Sequence, residues 1–357
     1  MSSCRHSGFQ KLFLILTFFM LLGIPAVAAE PEAESTESKI DISGMIFGHI
    51  GDSYEWHFTN IGDTPIAIPL PVILYSKERG EWFTFSSSKV EEEDYQGFYI
   101  AEEGDYAGKI VERNASGEEV RPVDISLTKN AVALILNCII LTCIILSCAR
   151  WYKGKEASTD SPKGFIGLME MMISMVYNDI VKANIPVHVQ RYAPYLLTAF
   201  FFIFLNNLIG LIPGSANITG NIAVTCVLAF CTFLMVNLFG NKEYWKEIFW
   251  ADVPGPLKPI MAVIEFIGLF TKPVALAIRL FANIMAGHAA MLALFGVIFI
   301  TSSMGALLGG VMTPLSLFFC IFLNLLELLV AFIQAYVFTM LSAVFIGLSQ
   351  PSHHHAE

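Results

Sequence analysis

The chain has 357 residues, of which 55% are hydrophobic and 15% charged, with a mean hydropathy of +0.61 and a formal net charge of −10. Soluble domains carry about a quarter charged residues, so this composition excludes a wholly water-soluble protein and describes a membrane protein with a soluble appendage. Residues 30–129 hold 21 acidic and 8 basic side chains, a net of −13, which argues against nucleic acid as a partner because that needs clustered Lys and Arg.

At the amino end, Arg5 and Lys11 precede the apolar run 12–22, and Gly23, Pro25 and Ala26-Val27-Ala28 follow. A basic start, a short apolar stretch and a small-residue cleavage motif predict a secretory signal peptide over 1–28. The apolar run is too short to cross a bilayer, which takes about 20 residues. Residues 29–129 then read as an exported acidic domain. Its segments 54–58, 66–75 and 82–85 are rich in β-formers and broken by Gly, Pro and Asp, which predicts several short strands. Glu91-Glu92-Glu93-Asp94 reads as a solvated loop. His49 and His57 have no defined partner set, and no metal site is assigned to them.

The membrane domain spans 130–348, with five apolar stretches near 131–149, 193–212, 222–239, 260–300 and 314–348. The last two exceed one perpendicular crossing: forty helical residues measure about 60 Å against a hydrocarbon core of about 30 Å. They must tilt, kink or extend beyond the lipid, with Lys272-Pro273 as the expected irregularity. Gly305, Gly309 and Gly310 mark the turn between them. Segment 165–185 is less apolar and predicts an amphipathic helix along the inner surface. Residues 349–357 form a cytoplasmic tail containing His353-His354-His355. The fold class is therefore an all-α polytopic membrane protein with a small β-rich exported domain.

Nine basic residues (Arg150, Lys153, Lys155, Lys163, Lys182, Arg191, Lys242, Lys246 and Lys258) fall in the loops that are cytoplasmic if the amino end is outside. The short external loops 214–221 and 301–312 hold none, a strong positive-inside signal. Six of the seven cysteines lie inside apolar runs without a C-x-x-C pair and read as small hydrophobes. No G-x-x-x-x-G-K-[ST] motif is present, so no nucleotide is expected to bind this chain.

Within the two long helices the ionisable residues are Glu265, Lys272, Arg279, His288 and Glu327. A charge at bilayer depth is costly and marks an ion pathway by default. With turn ends at Thr301 and Thr313, His288 lies 13 residues before and Glu327 14 after, so the two should share a depth. Arg279 and Gln334, at 22 and 21 residues, define a second level, and Glu265 lies near the cytoplasmic end. At about 100° per residue, Arg279 and Asn283 share a face, whereas Arg279 and His288 look in opposite directions. Arg279 has no acid of its own at that level, which leaves a carboxylate on another chain. Arg stays protonated; it can depress the pKa of an approaching carboxylate, while His and Glu can relay protons.

The stretch Lys272-Pro273-Val274-Ala275-Leu276-Ala277-Ile278-Arg279-Leu280-Phe281-Ala282-Asn283-Ile284-Met285-Ala286-Gly287-His288 resembles the signature of subunit a of the F-type ATP synthase. Asn207-Leu208-Ile209-Gly210-Leu211-Ile212-Pro213 and Gln334-Ala335-Tyr336-Val337-Phe338 are similar to two further motifs of that family. The resemblance covers 165–348 and departs in the exported domain, which is larger than the short external amino end of many members. It implies a non-catalytic stator subunit in a bacterial inner membrane, partnered by a ring of c subunits and b-type peripheral stalk subunits, with no cofactor. It also implies that Arg279 separates two proton half-channels and deprotonates the ring carboxylate, with Asn283 and Gln334 positioning it. His288 and Glu327 exchange places relative to many members, and with Asn206 or Asn207 they are expected to line the external half-channel, Glu265 the cytoplasmic one. Two other classes compete. A transporter or receptor with an exported ligand-binding domain predicts polar residues spread through a central cavity and often internal repeats, and no repeat is seen here. A haem protein needs axial ligands at matched depth, and His288 is the one histidine well inside a predicted span.

Overall fold

A computed structural model describes residues 52–61, 64–92, 94–101, 106, 108–114, 119–155, 162–185, 188–212, 215–250, 253–254, 257–303 and 305–350. The expected signal peptide and the histidine triplet lie outside these residues, as does His49.

The amino-terminal module is built of short antiparallel strands: β1 (Glu55–Ile61), β2 (Thr64–Pro69), β3 (Pro71–Tyr75), β4 (Trp82–Ser86), β5 (Phe98–Ile100), β6 (Ile110–Arg113), β7 (Glu119–Val120) and β8 (Val123–Asp124). They form sheets β1-β2, β4-β3-β8 and β5-β6-β7. Period-two alternation turns Val72 and Leu74 of β3 fully inward, where they meet Tyr54, Phe85, Val90, Phe98 and Ile110 in one apolar cluster. Two carboxylates, Glu112 buried and Asp124 half-buried, have hydrogen-bond partners, as withdrawal of a charge from water requires. Glu112 takes the Ser76 hydroxyl, 2.7 and 2.9 Å from its two oxygens. Asp124 accepts from the Tyr54 hydroxyl and from Ser126 N; burial, and then this bond, hold the Tyr54 phenol well above its ordinary pKa. The acidic run expected as a loop is partly helical, since Glu91 and Glu92 close the short helix α1 (Ser88–Glu92) that packs Val90 into the core.

The apolar stretches are all helices: α2 (Lys129–Tyr152), α4 (Val189–Gly210), α5 (Ile222–Leu238), α7 (Lys258–Ser303) and α8 (Ala306–Leu348). The short α3 (Phe165–Met175) and α6 (Lys242–Phe249) lie between them. Among the described residues four helices are long and apolar enough to cross a membrane, and the spans number five if α5 and α6, bent by 100°, count as one. The chain is thus mostly helical in its membrane part and β-containing at its amino end.

Local chemistry explains several boundaries. The Asn221 side chain accepts from Ala223 N at 2.9 Å and starts α5. Gly305, at φ +142°, makes the turn from α7 into α8. That turn is tighter than expected, because α8 already includes Gly309 and Gly310. Pro273 does not interrupt α7, which is helical over 46 residues or about 69 Å; the excess length is accommodated without a break at Lys272-Pro273. Segment 165–185 is helical as expected, but α3 continues as a π-helical segment, Val176–Lys182. Its face of Val176, Ile180 and Val181 is wholly buried against the bundle.

In lipid, helices associate through close packing and interhelical hydrogen bonds more than through hydrophobicity. Accordingly α8 presents Ala331, Ala335 and Ala343, all 0% exposed, to its neighbours. A side chain at Gly347 would collide with the Asn184 carbonyl. Tyr195 Oη lies 2.8 Å from Thr232 Oγ1, which lies 3.2 Å from Ser342 Oγ, tying α4, α5 and α8 together. Beyond Leu348, where the sequence predicts a tail, Ser349 and Gln350 are buried, and Gln350 donates to Tyr192 Oη and to the Phe239 carbonyl.

The module is seated on the helices. Lys129 N donates to the Ser53 carbonyl at 2.9 Å and Asn130 N to the Asp52 carboxylate at 3.1 Å. These are two of the amides that the start of α2 leaves unsatisfied, and an acid there also opposes the helix dipole. Ala133 of α2 and Ala216 and Ile218 of the α4–α5 loop form one buried apolar cluster, and Trp56 of β1 packs against it, as do Leu134 of α2 and Val224 of α5.

Candidate functional site

The site is laid out on the hairpin of α7 and α8. On α7, Leu269, Leu276, Leu280 and Ile284 recur at helical spacing and are buried. The face beside that stripe carries Arg279 and Asn283, both exposed. Ala275, Ala282, Ala286 and Ala290 beside them are exposed as well, so the surface around the guanidinium is low and even. Arg279 makes no hydrogen bond or ion pair with any described residue.

His288, nine residues on, points the other way. Its Nδ1 lies 3.2 Å from Glu327 Oε1, with the carboxylate side chain 6% and the imidazole 15% exposed. The shared depth expected from counting is therefore found, although Glu327 stands farther along its helix from Gly305 than His288 does. Glu327 has room because its neighbour on α7 is a glycine: a Cβ on Gly287 would stand 2.9 Å from Glu327 Oε1. Both Glu327 oxygens are buried and accept no hydrogen bond among the described residues.

Gln334 lies seven residues beyond Glu327 on the same buried stripe of α8; no hydrogen bond joins it to Arg279 among the described residues. Asn207 is 2% exposed and its Nδ2 donates to the Ala331 carbonyl at 3.3 Å, one turn from Glu327 and just under one from Gln334. Its Oδ1 is buried and has no hydrogen-bond partner among the described residues. Asn206, 1% exposed, turns to another helix and accepts from Asn137 Nδ2 of α2 at 2.9 Å. Of the asparagine pair, Asn207 is thus the member that faces α8. Glu265 is half-buried and within electrostatic reach of Tyr244 in α6, far along α7 from His288.

Two contributors escaped sequence reasoning. Asn137 is an amide inside the otherwise apolar run of α2, and that isolation was its signal. Gly287 was visible in the motif, but its purpose depends on a carboxylate forty residues away in sequence. Among the described residues no group of three His, Cys, Asp or Glu could hold a metal ion.

The chain is similar to known proteins over most of its length. The ATP synthase A chain family matches residues 132–347, and a domain of unknown function matches residues 45–131. ATP synthase subunit a of Chloroherpeton thalassium is 43% identical over 243 residues, 67% of this chain and 71% of that one. The subunit a of Chlorobium phaeobacteroides is 44% identical over 66% of this chain and 68% of its own, and that of an Anaeromyxobacter species 39% identical over 74% and 64%. With the family spanning every membrane helix and the arginine-bearing hairpin inside it, the chain belongs to the ATP synthase A chain family.

Proposed function

We propose that this chain is the proton-conducting stator of a rotary ATP synthase's membrane sector, working against a ring of c subunits, with the amino-terminal module outside the cytoplasm and the carboxyl end within it. The chain itself is non-catalytic and conducts protons between two half-channels. The observation that carries this reading is an exposed arginine, unpaired among the described residues, on a face lined with alanine within a helix of membrane length. A cation in lipid without a counter-charge is unstable, and small side chains let another helix approach to backbone distance. A ring carboxylate passing this face would meet Arg279 with Asn283 beside it. The fixed positive charge lowers the carboxylate's proton affinity, so its proton leaves on one side of Arg279 and is regained on the other. The same charge blocks protons from leaking straight through.

His288 and Glu327, on the opposite face, serve the external half-channel with Asn207 above α8 and Asn206 behind it, and Gln334 holds the level of Arg279. Glu265, near α6 and the basic segments, serves the cytoplasmic half-channel. The b-type stalk is the further partner. Arg279→Ala tests the reading: ATP-driven proton pumping by vesicles holding the complex should fall to background, while ATP hydrolysis by the detached soluble head stays normal. Pumping near the parent level would refute the role.

A further inference from the structure

Buried polar atoms are nearly always hydrogen-bonded, to protein or to water. Among the described residues the buried side-chain atoms without a hydrogen-bond partner are Asn207 Oδ1, Asn217 Nδ2, Thr219 Oγ1 and the two Glu327 oxygens, of which Oε1 stands 3.2 Å from His288 Nδ1 as an ion pair. They are not scattered. Asn217 touches α4 at Gly210, where an added Cβ would stand 3.7 Å from Asn217 Oδ1. Asn207 lies one turn before Gly210 and bonds to Ala331, one turn from Glu327, which meets His288. Taken in order, these groups mark a course from the α4–α5 loop, through Asn207 of α4, toward the His288–Glu327 pair.

The outer end of this course is held by the amino-terminal module. Asn217 sits between Ala216 and Ile218, 1% and 0% exposed, which form one apolar cluster with Ala133 of α2, and Trp56 of β1 packs against that cluster. Within the loop, Asn217 Oδ1 also accepts from Gly220 N at 2.9 Å, which leaves its Nδ2 to serve water. Thr219 is 0% exposed and offers its hydroxyl from the same turn.

We propose that Asn217 and Thr219 line the outermost hydrated segment of the proton path, and that the amino-terminal module clamps their loop in the conducting position through Trp56. This rests on the proton-path reading of the His288–Glu327 pair. It assigns the module a part in conduction itself: it fixes the threshold that protons cross between the exported side and Glu327.

The test uses vesicles carrying the whole ATP synthase complex, with the native cysteines replaced, and the hydrated silver ion as probe. In Asn217→Cys and Thr219→Cys, silver should suppress proton flux roughly tenfold relative to the same vesicles untreated, an effect of about 1.4 kcal/mol on the barrier, and should leave the cysteine-free parent unaffected. Adding Trp56→Ser to the Asn217→Cys variant should change its rate of silver inhibition several-fold, because the loop is released. Silver-resistant flux in both cysteine variants overturns the lining, and an unchanged rate with Trp56→Ser overturns the clamp. Should the cysteine variants fail to assemble, Thr219→Val is compared with Thr219→Ser: lower flux in the first with recovery in the second supports the assignment, and equal flux refutes it. Arg279→Ala, assayed alongside, separates the two levels. If it still pumps, the underlying reading has failed, whereas silver resistance with a dead Arg279→Ala rejects this inference alone.

Discussion

Arg279 and the His288–Glu327 pair show how much a single rotation about a helix axis decides. Nine residues separate the guanidinium from the imidazole, which places them on opposite faces, and the structure finds one exposed and the other against a buried carboxylate. A buried pair works as a unit, so substitutions in it should be non-additive. His288→Glu with Glu327→His is expected to retain more proton pumping than either single change; a double variant worse than both would show that the partners act independently. Gly287→Ala asks a narrower question. Its Cβ would stand 2.9 Å from Glu327 Oε1, so the carboxylate has to shift away from its place beside His288. Pumping should drop while the assembled complex remains. An inert Gly287→Ala would mean that Glu327 can move aside without consequence.

At the scale of elements, the long helices are fixed by their contacts more than by their propensity. The core stripe of α8 carries Glu327, Ala331, Gln334 and Ala335 in succession, so the same face that packs the bundle also presents the polar side chains. Asn137 and Asn206 join α2 to α4 by one hydrogen bond of 2.9 Å in an apolar setting. Such bonds contribute about 0.6 kcal/mol on average between membrane helices, but removing one partner leaves the other unsatisfied at a cost of about 1–3 kcal/mol. Asn137→Leu should therefore lower the thermal stability of the detergent-solubilised complex, and pairing it with Asn206→Leu should recover part of the loss. No recovery would show that the bond itself contributes little.

Across the whole molecule, an acidic β module and an apolar helical bundle meet at the start of α2 and the α4–α5 loop. The proposed orientation, inferred from nine basic residues on one set of loops and none on the other, makes the two ends of the molecule separable by reagent access. A thiol reagent unable to cross the membrane should label Lys77→Cys, exposed in the module, only from the outer side. It should label Lys246→Cys, exposed on α6, only from the cytoplasmic side. Labelling of both from one side would contradict the topology.

The apolar stretches, the β character of the acidic segment and the opposed faces of Arg279 and His288 were legible in the amino-acid sequence, because helical and strand periods are local properties and hydropathy acts residue by residue. Counting from the turn even brought His288 and Glu327 to one depth, despite a turn placed too far along α8. What counting along a chain does not contain is contact between elements. The choice of Asn207 over Asn206 to face α8, the space that Gly287 leaves for Glu327, the inward face of the π-helical segment and the seat of Trp56 on the α4–α5 loop were decided by tertiary packing. Each depends on which surfaces of distant segments fit together, and that is set by shape and by the need to satisfy buried polar groups.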